Sequence, residues 1–177
     1  DPTVANWKVS KLSGSVGGVS PLGAVAVDND VIFVDPGANY HLLSAVQALG
    51  DISSSNIARQ GHVYAFLQDN LNLARLQFCR AVYYSAKREA HFAVAGAGST
   101  VNNVRVVLDF NRDDLIRWRY SDRDTCEGLW LRKDSNSTPR LPSGDNAGFV
   151  WNMDQTSKLK DGVGYSGAWQ TPYMAFA

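Results

Sequence analysis

The sequence has little of what long surface helices need. Among 177 residues, glutamate occurs only at Glu89 and Glu127, and charged residues make up 19% of the chain. Exposed helix positions are usually filled by Glu, Lys and other strong helix formers. This shortage argues against a helical protein and favours an all-β fold.

The sequence also lacks an excess of one charge and a long apolar run. Seventeen Lys and Arg residues balance seventeen Asp and Glu residues, so no net field draws the chain to nucleic acid or to an anionic membrane. No apolar stretch approaches the roughly 20 residues that a transmembrane helix requires. We therefore expect neither nucleic acid nor a membrane among the partners.

Cysteine is scarce as well. Cys79 and Cys126 are the only two, and neither belongs to a CxxC or His-rich cluster that would hold zinc, so we expect no metal and no cofactor. Two free thiols and one disulfide both fit this count. A disulfide would imply an oxidising compartment, and Asn136-Ser137-Thr138 has the form of an N-glycosylation acceptor. Both features point to a secreted protein.

What the chain does contain is a recurring pattern of a β-branched or aromatic run, an aspartate and a polar turn. The pattern occurs with Asp35, Asp69, Asp109 and Asp154, at intervals of 34, 40 and 45 residues. Asp, Asn, Gly and Pro between extended runs are typical of hairpin turns. Small or apolar residues precede the hairpins, in SPLGAVAVD, SSNIAR, HFAVAGAG and SGDNAG. We predict one domain, residues 1–177, with four β-hairpin repeats near residues 35, 69, 109 and 154.

Repeats of this spacing favour a β-propeller, and a β-sandwich or barrel with one short helix is the alternative. Two segments also have apolar residues at helical spacing. We interpret residues 71–91 as strand, because Phe, Val and Tyr favour strands, and leave residues 41–50 undecided. Cys79 and Cys126 lie 47 residues apart, about one repeat, which predicts a disulfide between adjacent repeats.

Several of these segments resemble repeats of the fungal fucose-specific lectin family, which are six-bladed propellers. They are SPLGAVAVDNDVIFVDPGANYHL, SSNIARQGHVYAFLQDNLNLARL, FAVAGAGSTVNNVRVVLDFNRDDLIRWRYSD and GVGYSGAWQ. The resemblance implies fucose held between blades by an Arg, a Glu in the next strand and a Trp after a Gly-rich turn. The Arg position corresponds to Ile32, Tyr64 and Arg105, the Glu position to Arg117, and the Trp position to Trp130 and Trp169. Since four repeats are fewer than six blades, the ring would be smaller or completed by another copy.

A sugar site combines an aromatic face for C–H groups with an Arg or a carboxylate for several hydroxyls. The candidate ligand-binding residues are Arg105, Trp118, Tyr120, Glu127, Trp130 and Trp169. Aromatic residues in β-repeats also commonly fill the space between sheets. In NVRVVLD, strand alternation turns Arg105 away from the face shared by Val104, Val106 and Leu108. We predict that Arg105 and Trp130 share a pocket.

Catalytic signals are few. The histidines His41, His62 and His91 lie in different segments, none in a GxSxG or HExxH setting. We therefore predict no catalytic residue, although paired carboxylates drawn from Asp109, Asp113, Asp114 and Glu127 keep a hydrolase as a minor alternative.

Together these patterns predict a secreted, lectin-like, carbohydrate-binding protein without catalysis. Its expected partners are glycans or a host glycoprotein, with a second copy of the chain if a homo-oligomer completes the ring. The main alternative is a secreted protein-interaction module, such as an effector with degenerate sugar pockets.

Overall fold

The computed structural model describes residues 16–45, 56–112, 115–122 and 126–153, together with the backbone of 159–160 and 163–164. Most of the regular structure is strand in antiparallel sheets, with few helices, which confirms the all-β expectation. The described residues form neither a closed barrel nor a closed propeller ring.

Fourteen strands are assigned within this part of the chain. They are β1 Ala24–Val27, β2 Asp30–Val34, β3 Tyr40–Leu42, β4 Arg80–Tyr84, β5 Glu89–Val94, β6 Val104–Asp109, β7 Arg117–Ser121, β8 Gly128–Leu129, β9 Arg132–Lys133, β10 Pro139–Arg140, β11 Pro142–Gly144, β12 Val150–Asn152, β13 Leu159–Lys160 and β14 Val163–Gly164. The helical elements with both ends described are α1 Ile57–Gln60, α2 Tyr64–Asn70 and the 3-10 helices Leu73–Phe78 and Ser85–Lys87; residues 43–45 are also helical.

Three sheets follow one another along the chain. The first sheet has the order β1-β2-β3, the central sheet β4-β5-β6-β7, and the third sheet β8-β11-β12. The short pair β9–β10 extends the hairpin between β8 and β11, and β13 pairs with β14. Strand β1 lies beside β4, and β4 lies beside β8. The first strand of each sheet is therefore a neighbour of the first strand of the next sheet.

One face of the central sheet packs against the first sheet and the helices. Phe92, Val106 and Leu108 are fully or almost fully buried there. Tyr40 from β3 meets the Phe92 ring edge-on at 5.0 Å and the Trp118 ring at 5.3 Å. Removing a large aromatic side chain from such a core costs about 3–5 kcal/mol. This face therefore supplies the main core.

The opposite face of the central sheet is partly covered by the third sheet. A smaller cluster of buried side chains forms there, from Tyr84, Ala93, Cys126, Leu129 and Leu141. The third sheet has three strands and the central sheet four, and a pocket lies on this second face beside the smaller cluster. The polar residues Glu89 and His91 lie on the same face and are buried.

Three hairpin turns share one hydrogen-bonded design built on an aspartate. Its Oδ1 accepts the backbone N–H groups two and four residues later, and its Oδ2 accepts from a side chain six residues later. The residue three positions later has a positive φ. The aspartates are Asp35, Asp134 and Asp145, with Ala38, Ser137 and Gly148 at positive φ and His41, Arg140 and Trp151 as the side-chain donors.

The aspartate pattern of the sequence is only partly reproduced. Asp35 lies in the turn between β2 and β3, and Asp109 ends β6 before the turn to β7. Asp69, in contrast, lies within helix α2, so the hairpin predicted there is wrong. The turns at Asp134 and Asp145 were not predicted. Asp154 lies outside the described residues.

Helical spacing explains the error around Asp69. Val63, Leu67 and Leu71 recur at intervals of four residues and pack against the main core, so one helix face is buried. In the preceding SSNIAR segment, the described residues from Ile57 onward form a helix rather than an inner strand. Asn56 caps that helix, α1, because its side chain accepts the Ala58 N–H at 2.9 Å.

The two segments with apolar residues at helical spacing, residues 41–50 and 71–91, each contain both strand and helix. In residues 71–91 the strand interpretation holds for Val82 and Tyr84, but residues 73–78 form a 3-10 helix. In residues 41–50 a strand ends at Leu42 and residues 43–45 are helical, whereas residues 46–50 lie outside the described part.

The predicted disulfide is not formed in this structure. Neither Cys79 nor Cys126 is in a disulfide, and both are buried. Cys79 packs in the main core beside Gly23, whereas Cys126 lies in the smaller cluster and donates its thiol to the Val104 carbonyl oxygen at 3.2 Å. The central sheet lies between these two clusters, so the two thiols belong to opposite faces.

Candidate functional site

The candidate site grows from the alternation of side chains along three neighbouring strands. In β5, Ala90 and Phe92 enter the main core, so Glu89 and His91 project to the other face. The antiparallel register places Val107 opposite His91 and Arg119 opposite Val107. Arg105 lies on the same face, opposite Ala93 and Ser121.

A pocket of about 250 Å³ opens on this face. Its charged and titratable lining residues are Lys87, Glu89, His91, Arg105 and Arg119. The remaining lining residues are Tyr84, Val107, Tyr120, Ser121, Leu141 and Met153. Leu141 precedes β11 and Met153 follows β12, so the third sheet contributes an apolar wall.

Glu89 organises the polar part of the pocket. Its Oε2 lies 3.0 Å from His91 Nε2, and its Oε1 lies 2.5 Å from an Arg119 guanidinium nitrogen. Burial by itself raises the pKa of Glu89, but the hydrogen bond from His91 and the Arg119 charge outweigh it, and the net pKa is lowered. Glu89 is therefore ionised near neutral pH and can only accept hydrogen bonds.

His91 is held in a defined state by this arrangement. Its side chain is only 5% exposed. Burial lowers its pKa, the hydrogen bond to Glu89 opposes that effect, and the Arg105 and Arg119 charges lower the pKa further. The net pKa is lowered, so the imidazole is neutral near pH 7. Because Glu89 is an acceptor, Nε2 carries the hydrogen and Nδ1 presents a lone pair.

No described residue hydrogen-bonds to His91 Nδ1, although the atom is buried. Buried polar atoms normally have a partner, so this one is an exception that calls for an explanation. The pocket lining also carries three cations, Lys87, Arg105 and Arg119, against the single carboxylate of Glu89. The site can therefore offer several hydrogen-bond donors and an apolar wall.

The predicted orientation of Arg105, away from the apolar face of its strand, is confirmed. Val104, Val106 and Leu108 are buried in the main core, and Arg105 lines the pocket on the opposite face. Tyr120 also borders the pocket, but its ring packs edge-on against Phe66 at 5.0 Å.

Trp118 is a core residue rather than part of the pocket lining. It contacts Tyr40 and packs against the main core. Glu127 also lies away from the lining and accepts the Asn102 N–H at 3.2 Å.

Trp130 does not share the pocket with Arg105, and the structure corrects the predicted pairing. The neighbouring Leu129 is buried against the central sheet, so Trp130 projects to the outer face of the third sheet. There its ring lies over Gly128 and Gly144 and is 39% exposed. Trp169 lies outside the described residues.

Sequence reasoning missed Lys87, Glu89, His91 and Arg119. The segment EAHFAV did contain a signal, because a Glu and a His two residues apart share one face of a strand that is otherwise apolar. RWR, at residues 117–119, likewise places two arginines on one face. Neither signal reveals that these faces adjoin, since that depends on the pairing of β5, β6 and β7.

The described residues contain no group of three or more His, Cys, Asp and Glu side chains suited to a metal ion. None of their helices has the length and apolar character needed to cross a membrane.

Comparison with known proteins found no relative for this chain. No family model, no curated protein and no solved structure matches it. The resemblance to fungal fucose-specific lectins thus stays a prediction, and the function must be argued from the pocket itself.

Proposed function

We propose that the protein is a secreted, non-enzymatic carbohydrate-binding protein whose ligand occupies the pocket on the face of the central sheet opposite the main core. The observation that carries the proposal is the convergence of Arg105, Arg119 and Lys87 on one cavity beside an apolar wall. Guanidinium groups donate to two oxygens at once, which suits the closely spaced oxygens of a sugar.

The rest of the lining complements this chemistry. Val107, Leu141 and Met153 offer apolar surface for sugar C–H groups, and Ser121 adds a hydroxyl. Tyr84 donates its hydroxyl to the Pro139 carbonyl oxygen at 3.0 Å, which orients the side chain at the pocket wall. A volume of about 250 Å³ lies just below the usual range of small-molecule sites, roughly 300–1,000 Å³. The pocket therefore suits a single sugar unit.

Binding is favoured over glycoside hydrolysis because hydrolysis usually requires two carboxyl groups across the sugar. Glu89 is the one carboxylate among the described lining residues, and it is engaged by His91 and Arg119. Glu127 and Asp109 do not line the cavity, and Asp113 and Asp114 lie outside the described residues. The hydrolase alternative loses support from this arrangement.

A glycan array followed by calorimetry with single sugars tests the proposal. Wild-type protein should bind at least one sugar, and Arg105→Ala should weaken that binding about tenfold or more while leaving the melting temperature nearly unchanged, because Arg105 faces away from the main core. Arg132→Ala, at an exposed site in β9, is the matched control and should bind like wild type.

Binding that survives in folded Arg105→Ala protein would reject this pocket as the sugar site. Absence of any glycan ligand would favour the protein-interaction module instead. A partner of that module captured from host extract should not be released by free sugar.

We also propose that the three sheets are consecutive blades of a propeller-like array. Support comes from the adjacency of β1, β4 and β8, since the first strand of each propeller blade lies nearest the axis. The Ala81 N–H donates to the Leu22 carbonyl oxygen at 2.7 Å, which ties the central sheet to the residues that precede β1.

A second copy of the chain would complete this array, because the three blades formed by the described residues are fewer than the roughly four that a closed ring needs. The outer face of the third sheet, where Trp130 and Val150 are exposed, is the surface we assign to that contact. Native mass spectrometry should detect a dimer, and Val150→Asp should convert it to monomer. A wild-type monomer at all concentrations would refute the dimeric ring.

A further inference from the structure

The hairpin between β9 and β10 carries a motif that the pocket does not use. Asn136-Ser137-Thr138 is the one Asn-X-Ser/Thr sequence in the chain. We infer that Asn136 is an acceptor for an N-linked oligosaccharide when the chain passes through a eukaryotic secretory pathway. This inference rests on the secretion included in the proposed function, but it requires no ligand in the pocket.

The motif lies at the tip of its hairpin. Strand β9 ends at Lys133 and β10 begins at Pro139, with the motif in the turn between them. All three residues of the motif are exposed. An N-linked oligosaccharide is bulky and hydrated, so its attachment is compatible with folding only at the surface. The tip of this hairpin meets that condition.

The turn is held by groups other than the side chains of the motif. Asp134 Oδ1 accepts the backbone N–H groups of Asn136 and Thr138, each at 2.9 Å. Asp134 Oδ2 lies 3.0 Å from both Nε and a terminal guanidinium nitrogen of Arg140. No described residue hydrogen-bonds to the Asn136 side-chain amide or to the Thr138 hydroxyl. Both groups are therefore accessible to a modifying enzyme.

The two related aspartate turns show that the turn itself does not need these side chains. Gly37 and Ala147 stand two residues after their aspartates, where this turn has Asn136. Phe149 stands four residues after its aspartate, where this turn has Thr138. None of these three side chains can form a hydrogen bond, and both turns still form. Modification of Asn136 therefore removes no hydrogen bond that the turn depends on.

The transfer exchanges one bond for another. The Nδ2 atom of Asn136 bonds to C1 of the first sugar of a lipid diphosphate-linked oligosaccharide. The bond from C1 to the diphosphate oxygen breaks, the lipid diphosphate leaves, and the amide nitrogen gives up one proton. The residue before a proline is restricted to extended conformations, so Pro139 constrains Thr138 beside the reacting residue. We therefore expect incomplete transfer, with glycosylated and unmodified chains together.

Translation of the 177-residue chain behind a cleavable signal peptide, in the presence of microsomes, tests this inference. The chain shielded from added protease has entered the microsomes, and that fraction alone is scored. We expect it to contain a heavier form that peptide N-glycosidase returns to the unmodified mobility. Enzymatic release converts the glycosylated asparagine to aspartate, so mass spectrometry of the tryptic peptide of residues 134–140 should locate the conversion at Asn136.

Substitutions within the motif provide the second readout. Asn136→Gln removes the acceptor and Thr138→Val removes the hydroxyl with little change of shape, so each should abolish the heavier form. Thr138→Ser keeps a hydroxyl and should retain it. Asn146→Gln, at an exposed asparagine of the Asp145 turn outside such a motif, is the matched control and should be modified like wild type.

The outcomes separate this inference from carbohydrate binding by the pocket. A protected wild-type chain without the heavier form, or a heavier form that persists in Asn136→Gln, would overturn the assignment of Asn136. Neither result affects sugar binding, which the glycan array measures on unmodified protein. A glycosylated Asn136 together with an array that shows no ligand would reject the pocket as a sugar site and uphold the assignment of Asn136.

Discussion

Replacing Asp35 by alanine should destabilise the fold strongly, because one buried carboxylate serves four donors. The backbone N–H groups of Gly37 and Asn39 donate to Oδ1 at 2.8 and 2.9 Å. The Asn39 amide contacts both carboxylate oxygens, and His41 Nε2 lies 3.3 Å from Oδ2. Alanine leaves these four groups without their acceptor in a site where Asp35 is only 7% exposed.

The magnitude follows from the number of bonds and their burial. A hydrogen bond to an ionised group contributes about 1.5–3 kcal/mol net, and bonds that share one carboxylate are not additive. We expect the free energy of unfolding of Asp35→Ala to fall by about 4 kcal/mol, a large part of a typical total of roughly 5–15 kcal/mol. Urea denaturation followed by tryptophan fluorescence measures this change.

Asp134→Ala is the matched control, since Asp134 makes the same turn at the surface. There water reaches the released donors, so the loss should be clearly smaller. A loss below about 1 kcal/mol for Asp35→Ala, or equal losses for the two variants, would refute the argument that burial makes the Asp35 turn costly to break.

The same carboxylate predicts acid sensitivity. Burial alone raises the pKa of Asp35, but hydrogen bonds from His41, Asn39 and Gly37 outweigh it and the net pKa is lowered. A group whose pKa is lower in the folded state stabilises the fold above its unfolded pKa, about 3.9, and this stabilisation is lost as pH falls through the folded value. Wild type should therefore lose more stability between pH 6 and pH 3 than Asp35→Asn, measured by urea denaturation.

Three smaller predictions concern backbone strain, the thiols and a helix cap. Ser137→Gly should stabilise the protein by roughly 0.5 kcal/mol and Gly148→Ala should destabilise it, because both positions have positive φ; changes of the same sign would contradict this. Cys79 and Cys126 should react with a thiol reagent far more slowly in native than in unfolded protein, since both are buried and burial raises the pKa of Cys79 to about 11. A drop in melting temperature on adding reductant would instead indicate a disulfide. Asn56→Ala should lower the free energy of unfolding by about 1–2 kcal/mol, measured by urea denaturation, because it removes the cap of α1.

The elements that sequence predicted well depend on short-range chemistry. The turn at Asp35 and the strand that carries Arg105 could be predicted because turn residues and strand alternation act within a few positions. The same reasoning failed at Asp69, where apolar residues four apart bury one face of a helix that looks like a hairpin by composition. A polar turn and a helix end share the same residue types.

The candidate site was harder to predict because it depends on strand register. Arg105 was identified from its own strand, whereas His91 was interpreted as an isolated histidine. His91 and Arg119 lie on one face because Val107 of β6 pairs with His91 of β5 on one side and with Arg119 of β7 on the other. Trp130 was misassigned for a related reason, since nothing in the sequence fixes which face of the third sheet is covered.

The aspartate turns also bear on how quickly the hairpins form. Each turn completes its hydrogen bonds within seven residues of chain, so closing it costs little loop entropy and needs no contact with a distant sheet. Hairpins form in about 1–10 μs, well before slower long-range pairing, and the turn at Asp145 would fix the alignment of β11 and β12 during that time. A slip of one residue there would send Trp151 to the opposite face of the sheet. The Asp145 turn would therefore set the alignment of β11 and β12 before the sheets pack against one another.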